Sequence, residues 1–342
     1  MSSPQGPSTT TVIQQAVEED SSSGGIVGLL KRQLQQSLAF GTLIVLIVFF
    51  SIFGPNFFTW SNISGILLAT AVIGILALGT TFVIITGGID LSIGTGMTLC
   101  AVMTGVFITK MGLPMWIGVI GGVLTGVVIG LINGLNITFL NLPPFIATLA
   151  MMMIAQGLAL IISGVAPIYF SGSAPDFKQI ALGTLIPGLP NAVLITLALA
   201  LVAFLVLNKT LLGRFTFAIG SNEEATRLSG VNTRRWKILI YMFAGAFTGI
   251  AGVVLAARLD SAQPQLGLGY ELQAIAAVII GGTSLLGGRG SILGTVIGAL
   301  IMSVLINGLR IMSIQTEWQN VVTGIVILIA VFFDSLRNRS KT

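Results

Sequence analysis

Eleven acidic residues occur in the 342-residue chain, and Asp90 is the only one between residues 38 and 163. A carboxylate inside an apolar span is costly, which makes Asp90 a candidate acceptor for sugar hydroxyls or a proton site. It also follows Gly87 and Gly88 and precedes Ser92, a pattern that equally suits a cap on the next helix. A second interruption, Gly281, Gly282, Thr283 and Ser284, breaks another apolar run with paired glycines and hydroxyls. Broken helices at membrane depth survive where protein or water satisfies the freed backbone groups, so both stretches are candidates for a translocation pathway. A plain loop between two helices is the other reading of each. Neutral polar residues in or near the spans, Asn133, Asn136, Gln156, Gln273 and Asn307, suit a hydroxyl-bearing solute or hydrogen bonds between helices.

Several chemistries are excluded. The chain has no histidine and a single cysteine, Cys100, so Ser/His/Asp and Cys/His triads, His-based zinc sites and a disulfide framework are out of reach. No pair of carboxylates is spaced for acid–base catalysis, and no catalytic residue, metal or cofactor is expected. No GxxxxGK[ST] loop is present, so this chain cannot itself hydrolyse ATP in the P-loop manner. Energy must come from a partner or from an ion gradient.

The most informative polar piece is SNEEATRLSG, residues 221–230. Ser221 and Glu224 match a capping box, Glu223 and Glu224 occupy the first turn, Arg227 sits late and Gly230 supplies a stop. The pattern predicts a helix of about two turns with Ala225 and Leu228 on one side, too short to stand alone. Such a helix needs something to dock on, either a protein partner or lipid headgroups. The following Arg234, Arg235, Trp236 and Lys237 read as an interfacial anchor.

The elements that carry these residues follow from composition. Hydrophobic residues make up 54% of the chain and charged ones only 8%, against about 25% charged in a soluble domain, and the mean hydropathy is +1.00. Apolar runs fall at 38–53 (with a helical lead-in at 34–37), 63–86, 91–109, 115–136, 145–163, 191–207, 238–257, 271–286, 291–309 and 318–333. The expected fold is an all-α integral membrane bundle of about ten transmembrane helices. Residues 1–33 are expected to form a disordered tail, 34–336 the membrane domain with a polar loop at 208–237, and 337–342 a closing tail.

Lys31 and Arg32, the cluster Lys209, Arg214, Arg227, Arg234, Arg235 and Lys237, and Arg337, Arg339 and Lys341 all fall on one side of a ten-span chain. That side is the cytoplasm, with both termini on it. Lys110, Arg258 and Arg310 fall on the other side, against the trend. The pentapeptide LINGL recurs at 131–135 and 305–309, closing spans four and nine, which run in opposite directions, as an inverted five-plus-five repeat requires. Gly122, Gly126, Gly130 and Gly134 form a GxxxG ladder whose partner helix lies either in the same subunit or across a dimer.

With these stretches in view, the chain resembles the permeases of ATP-binding-cassette importers of the ribose and monosaccharide class. The resemblance is carried by PNFFT at 55–59, TGGIDLSIG at 86–94, PFIATL at 144–149, GRF at 213–215, NEEATRLSG at 222–230 and the long block 257–290. It implies a pore in the bacterial inner membrane made by two permeases, two copies of this chain in preference to this chain with a paralogue, with two ATPase subunits below and an extracytoplasmic sugar-binding protein above. No nucleic acid enters this picture. It implies that Ser221–Gly230 is the coupling helix that inserts into the ATPase. Glu223 and Ala225 match the family's Glu-Ala-Ala pattern, and Glu224 departs from it by replacing an alanine. Gln273 stands where close relatives often carry an acid, so the resemblance points to the sugar class more firmly than to ribose. A proton-coupled secondary transporter using Asp90 is the rival class; it leaves the capped helix unexplained.

Overall fold

The computed structural model describes residues 38–339; the expected tail over 1–33, the lead-in at 34–37 and residues 340–342 lie outside the described residues. Each of the ten apolar runs falls on a helix. Seven are long and apolar enough to cross a membrane: α2 (Trp60–Ile85), α3 (Ile93–Gly105, continued by a π-helical turn Val106–Lys110), α4 (Met115–Phe139), α5 (Pro144–Ser163), α7 (Asn191–Lys209), α10 (Thr233–Leu259) and α12 (Ile292–Ile311). Three apolar helices are shorter: α1 (Leu38–Phe53), α11 (Tyr270–Ile280) and α13 (Thr316–Arg339), whose apolar part is Thr316–Phe332. The small helices α6 (Gln179–Leu182), α8 (Leu211–Ser221) and α9 (Glu223–Leu228) lie in connections. The run expected at 271–286 is helical only to Ile280, because Gly281 and Gly282 end it, Gly282 at φ +96°.

Burial sorts the helices. The apolar window of α2 is 89% buried and forms the centre, while those of α4, α5 and α7 are at most 28% buried and present apolar faces outward. An apolar helix face turned away from its own fold suits lipid or another membrane helix. Hydroxyls in the core are quieted locally: Thr70, Thr80, Thr81, Thr104 and Thr196 each donate to the carbonyl four residues back at 2.8–2.9 Å.

The glycine ladder of α4 packs inside the subunit. A Cβ on Gly126 would lie 2.7 Å from the Gly249 nitrogen, and one on Gly130 would lie 2.7 Å from the Tyr241 carbonyl carbon, both in α10. Gly134 meets Ile238 of α10 and Gly122 meets α3. With no side chains between them, α4 and α10 approach backbone to backbone, which compensates in dispersion for the hydrophobic drive that lipid cannot supply.

α3 and α10 run side by side in the same direction: Gly96 faces Thr248, Met97 and Cys100 face Gly252, and Gly105 faces Ala262. A two-residue antiparallel pairing, β1 (Ile168–Tyr169) with β2 (Ser261–Ala262), ties the 164–190 connection to the end of α10. The chain then turns back. Asp260 closes α10 at φ +50°, and the segment 263–269 reaches Gly94 of α3, where a Cβ would strike the Gly267 carbonyl and the Glu271 carboxylate. From the pairing of α3 with α10, that contact sits about 20 Å below the end of α10, near its middle, at ~1.5 Å per residue. Residues 263–269 therefore turn back along α3 and α10, and α11 is an eleven-residue helix that starts at the mid-depth of α10.

Candidate functional site

α8 ends at Ser221, and the next residue, Asn222, is extended (φ −162°, ψ 102°). Its side-chain oxygen accepts from the Ala225 N–H at 2.9 Å, so Asn222 is the cap of α9. The expected Ser221–Glu224 capping box is not formed. Ser221 is itself helical and cannot fold its hydroxyl over the next helix, and Glu224 instead pairs with Arg227 at 2.6 Å. The Glu224 carboxyl is held below its ordinary range, chiefly by the hydrogen bond from Arg227. Glu223 pairs with Lys237 at 2.6 Å and anchors α9 to the first turns of α10. Thr226 is buried beneath α9 and donates to the Asn222 carbonyl at 2.8 Å. Ala225 and Leu228 lie outward, Leu228 being 76% exposed, and Gly230 ends the element at φ +84°. The result is a small, rigidly braced helix with an uncovered apolar pair. In the expected anchor, Arg234 and Arg235 are exposed, but Trp236 packs on Phe215 with ring centroids 4.6 Å apart and Lys237 is engaged by Glu223.

The two glycine-broken stretches meet beside this helix. The Gly288 N–H donates to the Ile85 carbonyl at the end of α2 (2.9 Å), and a Cβ on Gly287 would lie 3.0 Å from the Gly87 nitrogen. Gly220, near the end of α8, rests directly on the Ile85 carbonyl. Asp334 of α13 accepts from the Leu285 N–H at 3.1 Å and the Ser284 hydroxyl at 3.3 Å. Gly281 packs on Gly294 at the start of α12, and Thr283 is fully buried. The ends of α2, α8 and α11 are thus joined by backbone contacts three residues before α9, and the Asp334 carboxylate ties α13 to them.

Asp90 is 4% exposed and turns inward between α3, α4 and α10. One of its oxygens accepts from the Ser92 N–H at 2.8 Å and the Ser92 hydroxyl at 2.6 Å, and Asn133 of α4 donates to that hydroxyl at 2.9 Å. Thr148 of α5 accepts from the Leu91 N–H at 3.1 Å. The geometry is that of a turn over Asp90–Ser92 just before α3, with the Asp90 bonds going to Ser92 and not to the first N–H groups of the helix. Gly88 lies beneath the Tyr241 hydroxyl, where a Cβ would come within 2.6 Å.

The re-entrant segment was not legible in advance, nor was Glu271. That carboxylate is 6% exposed; one oxygen accepts from the Gly269 N–H at 3.0 Å, and the other is buried with no hydrogen-bond partner among the described residues. Gly267, which meets Gly94 in the same contact, also lines a narrow space with Thr95, Thr98, Gln156 and Gln265. The available signal was QPQLGLGYE, a proline, two glycines and an acid in nine residues, which reads as an ordinary loop until its depth is known.

A polytopic apolar bundle with a half-length helix beginning at mid-depth and a braced polar helix at one end has the form of a membrane transport permease. Residues 62–331 match the family described as "Branched-chain amino acid transport system / permease component", and the chain belongs to that family. It is 43% identical over 301 residues to the ribose import permease protein RbsC of Bacillus subtilis (strain 168), covering 88% of this chain and 93% of the relative. It is 40% identical over 307 residues to RbsC of Escherichia coli (strain K12), covering 89% and 95%. It is also 40% identical over 306 residues to the L-arabinose transport system permease protein AraH of the same strain, covering 88% and 92%.

Proposed function

We propose that this chain forms the translocation pore of an ATP-driven, binding-protein-dependent importer for a monosaccharide of the ribose type or a related polyol. ATP hydrolysis takes place on two separate ATPase subunits, and the sugar arrives on an extracytoplasmic binding protein. Two identical copies of the chain build the pore in the inner membrane of a bacterium. In this reading all ten apolar helices cross or enter the bilayer, both termini and the 208–237 loop are cytoplasmic, and the flanking stretches 1–33 and 337–342 are tails. The five-plus-five inverted repeat is supported by the paired LINGL motifs: Asn133 donates to Ser92 and Asn307 to Asn62, each reaching a residue at the start of a neighbouring helix.

The observation that carries the proposal is α9. A six-residue helix is not stable alone, yet this one is capped, ion-paired twice and offers Ala225 and Leu228 to solvent. That is a rigid plug for a cleft in a partner. Closure of the ATPase dimer would draw two such helices together, rock the bundles and open the pore outward, a motion passed to α2, α11 and α13 through the Gly220–Ile85–Gly288 contacts. The proton-coupled alternative gains nothing from Asp90, whose contacts are those of a structural turn.

The test is affinity purification of the tagged chain from its own membranes in mild detergent, with mass spectrometry of what accompanies it. A P-loop ATPase in near-equal amount, absent when Ala225→Arg is purified, is the expected result. A folded chain that reproducibly comes down alone refutes the proposal.

A further inference from the structure

We infer that the re-entrant segment and the two helices it touches form the solute's hydrogen-bonding constriction, with Glu271 as the acceptor for sugar hydroxyls and Gly94 as the face against which the segment closes. The inference rests on the sugar-importer reading and assigns the place where that solute is contacted.

Three observations carry it. A carboxylate at mid-depth keeps one oxygen without any partner among the described residues, although protein interiors rarely leave such an acceptor unpaired. Gly94 and Gly267 close on it, the Thr98 hydroxyl lies against Gly267, and Gly267 and Thr98 share an adjoining uncharged lining with Thr95, Gln156 and Gln265. Neither of the two ion pairs among the described residues involves Glu271. One acceptor carboxylate among neutral donors and acceptors suits a polyhydroxylated neutral solute and disfavours an anion.

The second element is the closure itself. Gly94 and Gly267 meet bare backbone to bare backbone, and the Glu271 oxygen lies in the same contact. The third is how lightly the segment is held. Its backbone bonds Leu266 to Gln263 and Tyr270 to Gly267 are long, 3.5 Å and 3.3 Å, and it is bracketed by left-handed residues, Asp260 at φ +50° and Gly269 at φ +94°. A segment with few strong bonds and a side-chain-free contact can withdraw from α3 at small cost. Withdrawal would expose the orphaned oxygen to the passing solute and return it to Gly94 afterwards.

Two substitutions test this with opposite signs. Glu271→Gln keeps length and the oxygen that receives the Gly269 N–H but puts a donor where the free acceptor stood. Uptake of radiolabelled sugar by cells should fall about tenfold, the value of a lost charged hydrogen bond, while ATP hydrolysis by the purified complex is retained. Gly94→Ala drives a methyl into Gly267 and Glu271 and should hold the constriction ajar, so that vesicles containing the complex leak the same sugar without ATP. The probes are D-ribose, L-arabinose and the pentitols. Wild-type uptake in Glu271→Gln, or uptake and ATP hydrolysis falling together in both variants with no leak, overturns the inference. If deleting the chain leaves uptake of every probe unchanged, the sugar-importer reading itself fails, and the solute class assigned here fails with it.

Discussion

Gly220→Ala sets two effects against each other at one atom. Gly220 lies inside α8, where replacing glycine by alanine should stabilise the helix by about 1 kcal/mol. A Cβ there would overlap the Ile85 carbonyl oxygen and lie 2.6 Å from the Gly288 nitrogen, which donates to that same oxygen at 2.9 Å. All of these atoms are backbone, so no flexible side chain can swing aside. Relief requires α8 to move away from α2 and the Gly288–Ile85 bond to break. Overpacking costs about 1–3 kcal/mol and the lost bond about 1 kcal/mol, so the repulsion wins and the net loss is about 1–3 kcal/mol. Denaturant unfolding in mixed micelles measures it. Gly65→Ala is the control, because it is also helical and has nothing within 4 Å of the added Cβ. The displaced end of α8 should also shift α9 and lower uptake per ATP hydrolysed. A Gly220→Ala protein as stable as Gly65→Ala, with unchanged coupling, would show that the three-way contact is not under constraint.

Ala225→Arg should leave the purified chain folded, since the site is exposed, but uncouple ATP hydrolysis from uptake; normal uptake would remove α9 from the docking surface. Asp90→Asn retains an acceptor for Ser92 and should cost about 1 kcal/mol with uptake reduced only a few-fold, whereas Asp90→Ala strands two buried donors and should cost about 2–4 kcal/mol. Complete loss of uptake in a well-folded Asn variant would instead give Asp90 a role in the pathway. Because the Glu224 carboxyl is depressed, its pairing with Arg227 is complete above the ordinary carboxylate range and is lost only as pH falls through the lowered value. The difference in coupling between Arg227→Met and the parent should therefore be constant from about pH 6 to 8; a change within that window would implicate another titrating group.

Among the described residues hydropathy alone located the seven span-length helices and the three shorter apolar ones, overrunning the end of α11, because the transfer free energy of a run of side chains depends on those side chains and little else. The braced helix was visible for a similar reason: its start, acids, late arginine and stop lie within ten residues. Its cap was misplaced by one residue because whether Ser221 or Asn222 does the capping depends on which of them leaves the helical conformation, and the packing of Gly220 on Ile85 holds Ser221 inside α8. The ladder on α4 announced a close approach without naming α10, since small residues specify a distance and not a partner. Both glycine breaks stand out in the sequence, but their meeting at the end of α2 joins residues 85, 220 and 288, which no local pattern relates. The least legible feature was the deepest one. Residues 263–271 have the composition of a surface loop, and only the parallel packing of α3 on α10 puts them at mid-depth, where an ordinary glutamate becomes a buried acceptor without a partner. Composition sets what each residue costs to bury; the contacts between distant segments decide which residues are buried together.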